Sequence, residues 1–518
     1  MSAWWTGLLA AVVARIARQR RWFRPWPARL SWHDAVVAVV LGVGIAVLAG
    51  GWLAPFTIPG TRAVGSPDFG EYCALINNYL ADALHEWGEN RSRLAGLPAG
   101  LLASHLGIFD ALLFSALGSL ALVVGGSYLW ARAIHTRTAG VAAAVLVGAV
   151  GPLAVLGRTL TFYPVITAGL TLACAGAAAA ARWRTPFSVL LAGLGIGLAL
   201  LVDARGLIWA VPCLGLTALA VLAGPERPGV PRWRGLGWRS LALAFPIVWS
   251  FQVGPWAYTP TARTLEGHVG IYAELQERGV RLPPWKHPTG RDTRYIWGRS
   301  DPRQIPWTLL FVADQGRWVP EWYRDLPEVR EGFQRSGAPW VAPFAAAAVA
   351  AVVGLRRRPW LAFVLAGTVL PFIVSFDGAV VMKTSHLRFV GSALPFLPIV
   401  LGVGMGVVAE GALPRGGRGR ADEPPTRPLA LAAFTAVLVA CVAGAIPTFL
   451  APQAPWRIPW PNAESAFTSA VRMRDGTGTS VNANMWMCAQ GLRQVEGDGT
   501  WVGQLPGGGT EVEPWQSD

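Results

Sequence analysis

Apolar residues run through this chain in blocks long enough to cross about 30 Å of hydrocarbon, and short polar turns separate them. The blocks predict about 11 transmembrane helices, at 33–54, 106–131, 140–157, 164–181, 186–203, 206–223, 240–256, 339–355, 359–376, 389–409 and 428–447. Charge alternates between successive connections. Arg132 and Arg137, Arg182 and Arg184, the cluster from Arg227 to Arg239, Arg356 to Arg358, and Arg415 to Arg427 fall on one side. The short connections of the other side hold only Arg158, Arg205, Lys383 and Arg388. Basic residues mark the cytoplasmic side, so the pattern predicts an all-α polytopic membrane protein with a cytoplasmic N-terminus and an external C-terminal segment.

Composition supports the membrane class. Hydrophobic residues make up 53% of the chain and charged residues 14%, against about 25% charged in soluble domains. The basic residues are nearly all Arg, since only Lys286 and Lys383 are Lys, and with abundant Ala, Gly and Pro this points to a high-GC bacterial genome and its cytoplasmic (inner) membrane. The net charge of +14 reads as Arg-rich loops facing anionic lipid; no nucleic-acid-binding motif accompanies it, and no nucleic-acid partner is expected.

The chain divides into a cytoplasmic interfacial segment (1–32), a multi-pass membrane domain (33–447) with outer loops at 55–105 and 257–338, and an external segment (448–518). Residues 1–32 mix Arg15, Arg18, Arg20, Arg21, Arg24 and Arg29 with Trp4, Trp5, Trp22, Phe23 and Trp26, and no small-residue cleavage site follows an apolar core; the pattern predicts an interfacial cytoplasmic helix and not a signal peptide. The loop at 257–338 is dense in Trp, Pro and Arg, as suits a layer on the lipid headgroups. In the tail, runs such as 479–487 and 500–505 alternate polar and apolar residues between Gly/Asp turns. They predict a small external α/β appendage with a few strands.

The first outer loop carries the most chemistry. From Phe69, the residues Tyr72, Leu75, Ile76, Tyr79, Leu80, Ala83, Leu84 and Trp87 recur at helical spacing, which predicts an amphipathic helix along the membrane surface. At its start stand Asp68 and Glu71, two carboxylates three residues apart after Ser66 and Pro67. One reading is an N-terminal cap, with Ser66 or Asp68 capping and Glu71 reaching back. The other is catalytic. A second stretch, Lys383, His386 and Arg388, groups cations at the predicted outer boundary, where Arg would present a fork and Lys a point charge to a lipid phosphate; headgroup anchoring is the plainer alternative.

In order and sidedness these motifs resemble the membrane glycosyltransferases of the GT-C fold that use polyprenyl-phosphate sugars, a group including protein mannosyltransferases, aminoarabinose transferases and bacterial relatives. The resemblance covers about 33–410. It rests on Asp68 in the first outer loop before a surface helix, on the run 127–140 (Ser-Tyr-Leu-Trp-Ala-Arg-Ala-Ile-His-Thr-Arg-Thr-Ala-Gly) leading to Arg158, on the Gly-rich span ending at Asp203 and Arg205, and on Ser385-His-Leu-Arg-Phe389 followed by Pro395-Phe-Leu-Pro398. Two departures stand out. The group often has adjacent Asp-Glu where this chain has Asp-Phe-Gly-Glu, and Phe162-Tyr163-Pro164 occupies the position where many relatives carry an acid after the outward Arg.

The resemblance implies transfer of a sugar from a polyprenyl-phosphate donor to a lipid, glycan or protein acceptor of the envelope. Asp68, with Glu71, would supply the catalytic carboxylate, and Arg388, Lys383 and His386, with Arg158 and Arg205, would hold the donor phosphate. No cofactor is expected; distant relatives bind a divalent metal, for which the carboxylate pair is the sole support here. Neither a Gly-Lys-Ser/Thr phosphate loop nor His-Glu-x-x-His is present. Two rival classes stay open: a non-catalytic membrane scaffold, and a lipid or glycan transporter, which would place charged residues within its spans. Cys73 and Cys488 are the two thiols assigned to the oxidising exterior, where they could pair.

Overall fold

The computed structural model describes residues 30–52, 76, 79–80, 96–149, 162–202, 206–222, 341–355, 359–374, 395–411, 436, 439, 493–494, 501–502 and 511–512. Among them are ten helices: α1 (Trp32–Trp52), α2 (Leu97–Leu106), α3 (Ile108–Ile134), α4 (Arg137–Ala149), α5 (Tyr163–Trp183), α6 (Pro186–Val202), α7 (Gly206–Leu222), α8 (Val341–Leu355), α9 (Pro359–Val374) and α10 (Phe396–Gly411). By length and composition two are apolar enough to cross a membrane, over Asp110–Ile134 and Tyr163–Trp183, and several shorter apolar helices accompany them. The expected span at 240–256 and the loop at 257–338 lie outside the described residues. Of the span at 428–447, Ala436 and Val439 are described, both helical.

One boundary differs from the sequence reading. The span expected at 106–131 is α3, starting at Ile108, and Leu97–Leu106 forms its own helix before it. Gly107 separates the two at φ 80°, a left-handed conformation in which a side chain would be strained, while its N–H closes α2 on the Ala103 carbonyl at 3.0 Å.

Small residues let the helices approach at backbone distance, as expected where lipid supplies no hydrophobic drive for helix association. A Cβ at Gly42 of α1 would lie 2.6 Å from the Ala121 carbonyl of α3, and one at Gly125 of α3 would lie 3.1 Å from the Ala38 carbonyl. The opposite face of α1 exposes Val39, Val40, Val43 and Val47, the aliphatic surface that a lipid-facing helix presents. In α5 and α6, Gly169 meets the backbone of Ala199, and Gly176 that of Ala192. Helix α10 is wedged from two sides: Gly402 and Gly406 face Ala139 and Ala143 of α4, and Gly404 faces Ala347 of α8.

Replacing Gly169 by Leu should therefore destabilise the bundle by about 1–3 kcal/mol, the usual cost of overpacking, since the Ala199 backbone nitrogen lies 2.7 Å from the Cβ position. Gly44→Leu should change the melting temperature little, because nothing lies within 4 Å of its Cβ position. Thermal unfolding of the two variants in one detergent tests the contrast.

Four buried threonine hydroxyls are satisfied inside their own helices. Thr167, Thr171, Thr217 and Thr368 each donate to the carbonyl four residues earlier, at 2.7–2.9 Å, so these polar side chains cost little in an apolar interior. In the tail, β1 (Arg493–Gln494), β2 (Trp501–Val502) and β3 (Glu511–Val512) form a three-stranded antiparallel sheet, with Gln494 opposite Trp501 and Val502 opposite Glu511. Strand β2 falls in the expected run 500–505; the run 479–487 lies outside the described residues.

Candidate active site

The helix ends sort into two groups. At one end, the start of α1, the end of α3 and the start of α4 meet through Asp34, Arg132 and Arg137. The end of α5 joins them: Arg182 Nη1 donates to the carbonyls of Arg132 (2.6 Å), Ala133 (3.1 Å) and His135, which caps the C-terminus of α3. Trp360, at the start of α9, donates its indole N–H to the Ala181 carbonyl at 3.1 Å. These are the connections that the Arg pattern assigns together. The start of α5, the turn from α6 to α7 and the end of α9 therefore belong to the opposite end.

The sequence-predicted site residues Asp68, Glu71, Arg158, Arg205, Lys383, His386 and Arg388 all lie outside the described residues, as do Cys73 and Cys488. The structure thus brings none of the seven into a described contact; it describes helices that flank them in sequence. Ile76, Tyr79 and Leu80 are helical, and of this predicted apolar face Ile76 is fully buried and Leu80 exposed. The Tyr79 ring fills the space a Cβ at Gly100 would need, at 2.6 Å, so Tyr79 seats on α2. Arg158 precedes Phe162 and Tyr163, whose buried rings stack at 4.6 Å at the start of α5. Arg205 directly precedes α7. Lys383, His386 and Arg388 fall between α9 and α10 in sequence. Trp209 of α7 meets Phe372 of α9 edge-on, with ring centroids 5.1 Å apart; the connections bearing Arg205 and the Lys383–Arg388 group thus leave from helix ends in contact.

Sequence reasoning missed the cluster at the Arg-rich end. Asp34 is fully buried, and both its oxygens are occupied. Oδ2 accepts from the Ser31 backbone N–H (3.0 Å) and hydroxyl (2.9 Å), half of a capping box at the start of α1. Oδ1 accepts from the Tyr128 hydroxyl (2.9 Å), Arg132 Nε (3.3 Å) and Arg137 Nε (3.1 Å). A carboxylate with its lone pairs so committed is a structural junction and not a proton acceptor for a substrate. The signal was in the sequence: an acid in the first turn of an apolar span asks for a named cationic partner, and Arg132 sits in the last turn of the next long helix.

A second unanticipated feature is a polar thread through the bundle. Trp130 Nε1 donates to Thr368 Oγ1 at 3.1 Å, Cys174 Sγ lies 3.6 Å from the Thr368 carbonyl, and the thiols of Cys174 and Cys213 are 3.8 Å apart. Among the described residues no group of three or more His, Cys, Asp or Glu side chains is placed to hold a metal ion.

No family model matches the chain, and no curated protein does. Similar solved structures include the oligosaccharyltransferase of Archaeoglobus fulgidus in its apo form (16% identity, 86% of this chain and 58% of that chain, TM-score 0.47). The same protein tethered to an acceptor peptide is 14% identical over 94% of this chain and 61% of that one, with a TM-score of 0.48. ArnT from Cupriavidus metallidurans bound to undecaprenyl phosphate is 15% identical over 89% of this chain and 75% of that one, with a TM-score of 0.42. The chain thus spans about three fifths of the length of the archaeal enzyme.

Proposed function

We propose that this chain is a membrane glycosyltransferase that moves a sugar from a polyprenyl-phosphate donor to an envelope acceptor at the outer face of the cytoplasmic membrane. The observation that carries the reading is the ordered set of outer-loop motifs: Asp68 and Glu71 ahead of the buried Ile76 and of Tyr79, which packs on Gly100, and His386-Leu-Arg388 before α10.

In this scheme the acceptor oxygen attacks the anomeric carbon as the bond from that carbon to the phosphate oxygen breaks. Asp68 takes the acceptor proton as general base, with Glu71 beside it in sequence. The polyprenyl phosphate leaves with new negative charge, which Arg388, Lys383 and His386, aided by Arg158 and Arg205, offset by placed positive charge. A transport pathway would call for charged groups midway along the helices. The buried charged side chains among the described residues, Asp34, Arg132, Arg182 and Arg184, instead stand at helix ends.

Undecaprenyl phosphate, the lipid in the ArnT structure, is a suitable probe. Arg388→Ala should weaken its binding to the purified full-length chain about tenfold or more, the effect of losing a charge-assisted contact, whereas Arg62→Ala should change it no more than about twofold. Small and equal effects in a titration would remove the phosphate site from this proposal.

A further inference from the structure

The three buried indoles among the described residues differ in one respect. Trp130 and Trp360 each place their N–H on an oxygen at 3.1 Å. Trp209 is 3% exposed and its Nε1 has no hydrogen-bond partner. A buried donor without an acceptor is costly, and more so where no water reaches. Phe at this position would pack against Phe372 without that cost, so the N–H asks for an acceptor that the described residues do not supply.

The place of Trp209 says which kind. Gly206, the first residue of α7, lies against Ala199 and Leu200 of α6, and Ala199 also meets Gly169 of α5. Helix α7 thus begins level with Gly169, six residues below the start of α5, or about 9 Å into the bundle at 1.5 Å per residue. Its first-turn amides have no partner within the helix and form its positive end. Trp209 is the fourth residue of α7, and helical side chains lean toward the N-terminus. Its indole therefore lies over that first turn, on the end of the bundle from which the Arg205 connection departs.

We propose that the Trp209 N–H is a ligand-binding group, which donates to a phosphate oxygen of the lipid-linked donor at the sunken first turn of α7. A phosphate suits the position because it accepts from an N–H while the helix N-terminus offsets its charge. This inference rests on the proposed function above and adds to it a contact from within the helices.

The test compares undecaprenyl phosphate with undecaprenol, which has the same chain and no phosphate, on the purified full-length protein. The wild type should prefer the phosphate, and Trp209→Phe should reduce that preference about tenfold, as expected for one hydrogen bond to a charged group, without lowering the melting temperature. Should Phe fold poorly, a tryptophan analogue with sulfur in place of the ring N–H, incorporated at position 209, keeps the shape and should give the same loss. A preference unchanged in whichever of these folds overturns the role of Trp209. If the wild type itself shows no preference for the phosphate, the proposed function fails, and this inference with it.

Discussion

Asp34→Ala should be among the most destabilising substitutions in the described bundle, at about 3–5 kcal/mol, the usual cost of removing one partner from a buried ion pair. The loss takes from Arg132 a carboxylate contact at 3.3 Å while that side chain stays 2% exposed, and it strips the Tyr128 hydroxyl of its acceptor. It also unties three helices at once, since Ser31, Tyr128, Arg132 and Arg137 reach Asp34 from the start of α1, the end of α3 and the start of α4. Arg137→Ala should cost far less, about 1 kcal/mol or below, because its side chain is 48% exposed and its pair is open to solvent screening. Thermal melts of both variants in one detergent give the comparison; equal shifts would show that Asp34 is not the keystone of this end.

Asp68→Asn should cut sugar transfer by about two to four orders of magnitude, the range that a positioned general base supplies, and leave the folded protein level unchanged. The choice of Asn separates the two readings of this residue. Asn caps a helix about as well as Asp, so the surface helix keeps its start while the base is lost. Mass spectrometry of envelope glycolipids and glycoproteins from a deletion strain complemented with wild type or variant reads the outcome. Full product with the variant would reduce Asp68 to a cap and favour a scaffold.

The spans were legible because their signal is local. Tyr163–Trp183 and Pro186–Val202 are apolar runs that meet at Arg182 and Arg184, and nothing distant is needed to find them. The break at Gly107 was less so, since one glycine among 60 does not announce a positive φ, and Leu97–Leu106 is apolar enough to merge with the span that follows. Asp34 called for a cation, but its partners lay beyond reach for another reason: Tyr128 and Arg137 are 94 and 103 residues away in the chain, and a single sequence does not say which arginine meets which acid. Trp209 was hidden more deeply still, because a missing hydrogen bond shows only when every neighbour is in place. Asp68 and Arg388 came from the order of motifs, a different kind of signal from any contact.

The double wedge on α10 has a mechanical meaning. With glycines 402 and 406 seated on α4 and glycine 404 on α8, the helix is gripped on both flanks at backbone distance, so it can neither slide along its axis nor rotate without driving backbone into backbone. It behaves as a fixed post. A rearrangement of the described bundle would then have to carry α10 together with its seats on α4 and α8 as one body.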